Sequence, residues 1–180
     1  MPGQVFKDIR ELKKQLDRWG YSIFAVSGGF DPIHIGHVRY ITSAAEKCQK
    51  GVPGNNFWNP GVLVVIVNSD GFLTRKKGYS FMPIEERMEV LAAIEGVDFV
   101  TCWDDGTQTV IGALEILRPE YFLKGGDRSD PESVPEYSTC DKIGCEVIFD
   151  VGGKEKAQSS SELVRQYENI RLKNKKPEDA

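Results

Sequence analysis

His34 and His37 are the only histidines in the chain. They stand three apart in the run Gly28-Gly29-Phe30-Asp31-Pro32-Ile33-His34-Ile35-Gly36-His37, directly after the apolar stretch Ile23-Phe24-Ala25-Val26. A glycine pair at the end of a strand lets backbone approach a phosphate closely. A helix opening at His37 would aim N–H groups and a positive dipole end at the same spot. Two imidazoles three apart at a helix entry share a side, so together they suit donation to phosphate oxygens. The competing reading is a chance pair, one histidine in the core and one in solvent. It leaves unexplained why glycine pair, histidine pair and strand-to-helix position coincide. Zinc is disfavoured, because two ligands are too few and none of the four cysteines lies near in sequence.

Such side chains need a frame to hold them. The pattern predicts a strand over 22–27 and a crossover helix over 37–49 with Val38, Ile41, Ala44, Ala45 and Cys48 on one face. Residues 62–67 are apolar throughout, as in a parallel strand covered on both faces. After them come Asn68-Ser69-Asp70 and the basic Arg75-Lys76-Lys77 in a flexible segment, then a helix over 83–94 with Pro83 at its start. Further strands are predicted over 97–102, 121–123 and 144–149, and a helix over 107–117. A final helix opens at Ser159-Ser160-Ser161-Glu162 on a serine N-cap.

At the front, residues 6–19 place Phe6, Ile9, Leu12 and Leu16 at helical spacing, with Gly20 as C-cap. The Gly-, Pro- and Asn-rich stretch 51–61 carries Phe57 and Trp58 and is a surface loop and lid candidate. Strands alternating with helices predict an α/β, Rossmann-like, doubly wound sheet of five parallel strands. The expected organisation is a helical extension over 1–20, a single domain over 21–172 and a charged tail over 173–180.

A chain of 180 residues, 40% hydrophobic, suffices for one domain with a sizeable core. Cys48, Cys102, Cys140 and Cys145 form no CxxC pair, the first residues show no apolar leader, and no apolar run approaches the ~20 residues that span a bilayer. A cytoplasmic protein with free thiols is therefore expected. The net charge of −4 argues against bulk nucleic-acid or acidic-membrane binding. Any anionic ligand must be held by a local cluster.

In a doubly wound sheet, ligands bind beyond the carboxyl ends of the strands where strand order reverses. Four segments fall on that edge: the histidine loop, residues 68–77, Lys124-Gly125-Gly126-Asp127 and the triple serine. Together they suit a polyphosphate. With Glu86-Arg87-Met88, the downstream Val97-Asp98, Lys77-Gly78 and Arg118-Pro119, they make the chain resemble the HxGH nucleotidyltransferases, the cytidylyltransferase-like superfamily. Within it the resemblance is to sugar-phosphate nucleotidyltransferases of the heptose-1-phosphate adenylyltransferase type, and it runs from about Ser22 to the final helix. The 51–61 loop departs from that pattern as an insertion. Residues 31–34 read more like the nicotinate mononucleotide adenylyltransferase version, and serines replace a Ser-Thr-Thr run. No part resembles the sugar-kinase domain sometimes fused to such enzymes, so a stand-alone transferase is expected.

The resemblance implies in-line attack by an acceptor phosphate on the α-phosphorus of a nucleoside triphosphate, ATP favoured, with pyrophosphate leaving and no covalent intermediate. Catalysis is then positioning and electrostatics. A cation about 4 Å from one oxyanion, at an effective dielectric near 20, is worth roughly 4 kcal/mol, or about a thousandfold in rate. On this reading His34 and His37 donate to triphosphate oxygens, and Gly36 stays small so that phosphate or ribose can approach. Lys77, with Lys76 as the alternative, bridges the reacting phosphates unless the basic trio is simply a solvated loop.

Gly28, Gly29, Phe30 and Asp31 join the nucleotide site. Asp31 orients the loop or helps place Mg²⁺, carried mostly on triphosphate oxygens. Lys124, Gly125, Gly126 and Asp127 form the base and ribose wall, or else a tight turn. Ser159, Ser160 and Ser161 offer donors at a helix N-terminus, a role compatible with plain capping. Asn68, Asp70 and Arg87 fall to the acceptor, although a surface ion pair of Arg87 with Glu85 or Glu86 competes. Asp104-Asp105 reads as a cap for the following helix, outside the site.

Three other classes compete. A class I aminoacyl-tRNA synthetase shares the letters His-Ile-Gly-His, but a Lys-Met-Ser-Lys-Ser-like segment and room for tRNA are missing. A Rossmann dinucleotide module wants G-x-G-x-x-G where this chain has Gly-Gly-Phe-Asp. A non-catalytic nucleotide sensor would dispense with the histidine pair, which is intact. Within the transferase class the runner-up is a CTP-dependent cytidylyltransferase acting on glycerol-3-phosphate or a similar polyol phosphate. The expected partners are a nucleoside triphosphate, a phosphorylated small-molecule acceptor and a second copy of the chain, through the leading helix and sheet edge. Nucleic acid and membrane are not expected.

Overall fold

The computed structural model describes residues 1–51, 61–125, 130–153 and 158–174. In chain order its elements are β1 (Gln4–Phe6), α1 (Ile9–Trp19), β2 (Ser22–Gly28), α2 (Ile35–Lys50), β3 (Gly61–Asn68), α3 (Asp70–Lys77), α4 (Ile84–Ala92), β4 (Phe99–Trp103), α5 (Ile111–Leu117), β5 (Tyr121–Gly125), α6 (Tyr137–Ile143), β6 (Glu146–Val151) and α7 (Ser160–Asn174). The strands form one sheet in the order β1-β4-β3-β2-β5-β6, every pair parallel. The winding proceeds outward from β2 through β3 to β4, then returns to the other side of β2 for β5 and β6. The reversal point therefore lies between β2 and β5, and the histidine loop and Lys124-Gly125 issue from those two strands.

Alternation along β3 explains why its sequence reads as unbroken apolar. Val62, Val64 and Ile66 face a cluster with Leu12, Leu16, Leu114, Leu117 and Phe122. Leu63, Val65 and Val67 face a second cluster with Ile41, Ala44, Met88 and Leu91. Helices α1, α5 and α6 cover the first face, and α2 and α4 the second. Each fully buried Leu or Ile contributes about 1.5–3 kcal/mol by leaving water. The two packed faces hold the strand ends, and the loops on them, in fixed register.

The sheet has six strands where five were expected. The extra one, β1, is three residues long and pairs with β4 at the edge, Gln4 opposite Phe99. Phe6 belongs to this strand, not to the leading helix. Asp8 starts α1 as N-cap, accepting from the Arg10 N–H at 2.8 Å, and Gly20 ends it at φ 63°. The segment after β3 is ordered as helix α3, and α6 has no counterpart in the sequence reading. Both are one or two turns long, too short for an apolar period to emerge. The helix expected over 107–117 begins at Ile111. Residues 52–60 of the lid candidate and the end of the charged tail, 175–180, lie outside the described residues. Among the described residues no helix is long and apolar enough to cross a membrane.

Candidate active site

The β2–α2 turn places the histidine pair. His34 is the N-cap of α2, and its Nδ1 accepts the Gly36 N–H at 3.1 Å, while His37 Nδ1 accepts the His34 N–H at 3.4 Å. Both Nδ1 atoms are thus acceptors, so each neutral ring carries its proton on Nε2. The rings stack, centroids 3.7 Å apart and planes inclined by 18°. Burial, then the neighbouring His34, then Lys77 push the His37 pKa down to about 3. At neutral pH His37 is an uncharged N–H donor.

The Gly36 and His37 amides are also occupied, the latter by His34 O at 2.9 Å. These two amides of α2 are therefore committed within the turn, and the imidazole edges are the donors left at this end of the helix. The turn itself keeps Gly36 small: a Cβ there would lie 3.0 Å from the His34 ring. Phe30 supports the pair from below. It holds φ 51°, a backbone cost of about 1–3 kcal/mol, offset by a ring 2% exposed that meets His37 edge-on at 5.1 Å.

Around the histidines opens a cavity of about 750 Å³, within the range that suits a nucleotide-sized ligand. Gly28, Gly29 and Phe30 line it from β2, Lys124 and Gly125 from β5, and Ser159, Ser160 and Ser161 from the start of α7. The Ser160 hydroxyl donates to Pro32 O at 3.0 Å, tying α7 to the histidine loop. Asn68 and Lys76 line the β3 side. Gly126 and Asp127 lie outside the described residues.

Four expected site residues are not among the cavity's lining, and their bonding says why. Asp31 is 1% exposed; its carboxylate accepts the Phe81 and Met82 N–H groups at 2.8 and 2.6 Å and pairs with Lys77 at 3.1 Å. Lys77 also donates to Asp31 O at 2.8 Å. It clamps the loop, and Lys76 is the lysine facing the cavity. Arg87 is 0% exposed and donates to Met82 O, Gly29 O, Asn68 O and Asp70. Its ion pair is with Asp70 and not with Glu85 or Glu86, and it ties together the ends of β2, β3 and α3. Burial works to raise the Asp70 carboxyl, but hydrogen bonds from Arg87 and Ser80 outweigh it and hold the pKa below the usual carboxylate value.

The Asp104-Asp105 pair does not cap α5, which starts after Val110 with no side-chain cap. Asp104 accepts from Ser69 and Arg75 at the two ends of α3, and these contacts, against the opposing effect of burial, bring its pKa to about 2.

The sequence matches the family described as Cytidylyltransferase-like over residues 25–166. The chain belongs to the cytidylyltransferase-like family of nucleotidyltransferases. Among curated relatives it is similar to the bifunctional protein HldE of Hahella chejuensis, 36% identical over 160 residues, covering 86% of this chain and 29% of that protein. It is also similar to the bifunctional protein HldE of Nitrobacter hamburgensis, 33% identical over 154 residues, covering 82% of this chain and 28% of that protein. The chain thus spans less than a third of the length of these relatives. Among solved structures, a lipopolysaccharide core biosynthesis protein from Thermoplasma volcanium superposes with a TM-score of 0.55 at 19% identity, covering 72% of this chain and 93% of that one. That likeness shows the shared fold.

The match starts at Ala25 inside β2 and ends within α7, so it contains every cavity-lining segment of this cytidylyltransferase-like domain. Sequence reasoning missed several lining residues: Arg39, Tyr40, Gln108, Glu136, Gly152 and Gly153. One signal was available, since Gly152-Gly153 is a second glycine pair at a strand end, after β6. A Cβ on Gly152, at φ 88°, would stand 3.0 Å from Tyr40 Cα. Glu136 gave no signal, because it lies just before a seven-residue helix and faces the cavity only through tertiary packing.

Proposed function

We propose that this chain transfers a nucleoside monophosphate from a nucleoside triphosphate, ATP favoured, to the phosphate of a sugar phosphate of the heptose-1-phosphate kind. An acceptor phosphate oxygen forms the new bond to the α-phosphorus as the bond to the bridging oxygen breaks, and pyrophosphate leaves with the electron pair. The observation that carries the reading is the pair of Nε2–H donors, both fixed by bonds at Nδ1 and both lining the cavity. Donors fixed in this way stabilise charge that develops on the leaving oxygens without needing to reorganise. Lys76 adds a mobile cation, and Ser159–Ser161 add donors where the α7 dipole favours anions. The acceptor assignment draws support from the similarity to the HldE proteins over most of this chain.

Asp31 does not fit a Mg²⁺ ligand, since two amides and Lys77 occupy its carboxylate. No group of three or more His, Cys, Asp or Glu side chains among the described residues could hold a metal. The ion is proposed to come only on the triphosphate's own oxygens.

The test is a pyrophosphate-release screen crossing the four nucleoside triphosphates with sugar phosphates, phosphoglycerol, phosphocholine, phosphopantetheine and nicotinate mononucleotide. Release with ATP and a sugar phosphate is expected, falling about 10²–10³-fold in His34→Ala and His37→Ala, the typical loss for one transition-state donor. Activity of either variant within threefold of wild type would refute the mechanism. Nucleotide binding without release for any acceptor would identify a sensor.

A further inference from the structure

In an in-line displacement the attacking and leaving oxygens stand on opposite sides of the phosphorus. On the reading above, pyrophosphate leaves toward His34, His37 and the start of α7, on the face of the sheet that α2 covers. The acceptor then enters over the face covered by α1, α5 and α6. Alternation places Asn68 and Lys124 on that face, as successors of Ile66 and Phe122 in the cluster with Leu114 and Leu117.

Glu136 joins them from the residue before α6. It is 6% exposed and lines the cavity. Its Oε1 accepts the Val110 N–H at 3.4 Å, which fixes the carboxylate plane, and its Oε2 stands 3.6 Å from Lys124 Nζ. Among the described residues, Glu136 Oε2 and Asn68 Oδ1 are both buried oxygens that accept no hydrogen bond. Two buried acceptors on one cavity wall, with a cation beside one of them, form a surface complementary to hydroxyl hydrogens, not to a second phosphate.

We propose that Glu136 and Asn68 are the hydroxyl-reading subsite for the acceptor, and that they select a polyhydroxylated phosphate over its deoxy analogues. The reasoning rests on the transferase reading for its direction of entry. It explains a buried carboxylate that the phosphate chemistry does not use. A site that hydrogen-bonds a hydroxyl rejects the analogue lacking it, by up to about 10⁴–10⁵ where the site is fully dry, and about tenfold or more is expected in this open cavity.

The experiment titrates hexose 1-phosphates, heptose 1-phosphates and glycerol 3-phosphate, each beside its monodeoxy analogues, into the full chain. Binding is read by calorimetry and pyrophosphate release is read separately. The wild type is expected to prefer at least one hydroxylated member tenfold or more over a deoxy analogue. Glu136→Gln keeps an oxygen for the Val110 N–H and turns the open acceptor into a donor. It should weaken binding of that member about tenfold and narrow its preference below threefold, with ATP affinity within twofold of wild type. Asn68→Ala, monitored with thermal unfolding, should move the same readout and serves if Glu136→Gln does not fold.

An unchanged hydroxyl preference in both variants overturns the subsite. So does a variant that weakens ATP instead, which would put ribose hydroxyls on Glu136, or a wild type that binds no phosphate of the panel. Hydroxyl-selective binding without pyrophosphate release leaves the subsite standing and removes the transferase reading. Turnover of a sugar phosphate that Glu136→Gln and Asn68→Ala do not alter does the reverse.

Discussion

Replacing Arg87 with methionine separates two roles that the sequence alone leaves level. If Arg87 meets the acceptor, the change harms acceptor affinity; if it ties the strand ends together, the change harms the fold. The guanidinium donates to Met82 O at 2.9 Å, to Gly29 O at 2.6 Å, to Asn68 O at 2.8 Å and to the Asp70 carboxylate. Hydrogen bonds to a charged group are worth about 1.5–3 kcal/mol each, but they do not add fully, and methionine fills part of the space. Asp70, with a side chain 43% exposed, recovers water, whereas Asn68 O does not. Breaking one member of a buried pair costs about 3–5 kcal/mol, and that is the expected loss here. It is a large share of the ~5–15 kcal/mol that holds a typical domain together.

With an m-value of about 2 kcal/mol/M, the urea midpoint should fall by roughly 2 M. Arg87→Lys, a point charge without the planar fork, should lie between. Unfolding followed by circular dichroism at pH 7.5 reads the stability, and the acceptor KM reads the other role. A loss below about 1 kcal/mol together with a tenfold rise in acceptor KM would refute the structural role and return Arg87 to the acceptor site.

The two lysines should divide in the same manner. Lys76→Ala should lower turnover about 10²-fold or more with stability nearly unchanged, while Lys77→Ala should cost about 1–3 kcal/mol by leaving the Asp31 carboxylate without its cation; the reverse pattern in paired turnover and urea measurements would contradict the geometry. The His37 pKa, pushed to about 3, makes stability fall with acidification. The unfolded chain takes up a proton near pH 6.5 and the folded one does not, so the wild type should lose about 1.4 kcal/mol between pH 7.5 and 5.5 in excess of His37→Asn, and parallel pH curves for the two proteins would show that His37 titrates alike in the folded and unfolded chain. Gly152→Ala meets both a positive φ and Tyr40 Cα at 3.0 Å; a loss of about 1–3 kcal/mol is expected, and an unchanged melting curve would show that the β6 turn relaxes freely.

What the chain discloses in its letters is what depends on local chemistry. The histidine turn, the serine start of α7 and the apolar β3 could be read because each combines residue types whose meaning does not depend on distant partners: glycine before a helix, a run of hydroxyls where a helix starts, a strand wet on neither face. Charged residues were harder, because a lysine or arginine reads the same in sequence whether it meets a ligand or a carbonyl. Lys76 and Lys77 are adjacent, yet one faces the cavity and the other pairs with Asp31. Rotation by about 100° per residue along α3 separates them.

The missed helix had a signature nonetheless: Ser69 accepts the Phe72 N–H at 2.9 Å, Asp70 sits in the first turn, Arg75, Lys76 and Lys77 fill the last, and Gly78 closes it at φ 88°. Caps and dipole-matched charges at both ends specify an eight-residue helix where apolar period cannot. That signature places the two lysines on different sides of α3. Arg87 stays ambiguous in sequence, because its partners come from the ends of two strands and from the segment before its own helix, and only the assembled sheet brings those carbonyls to one point.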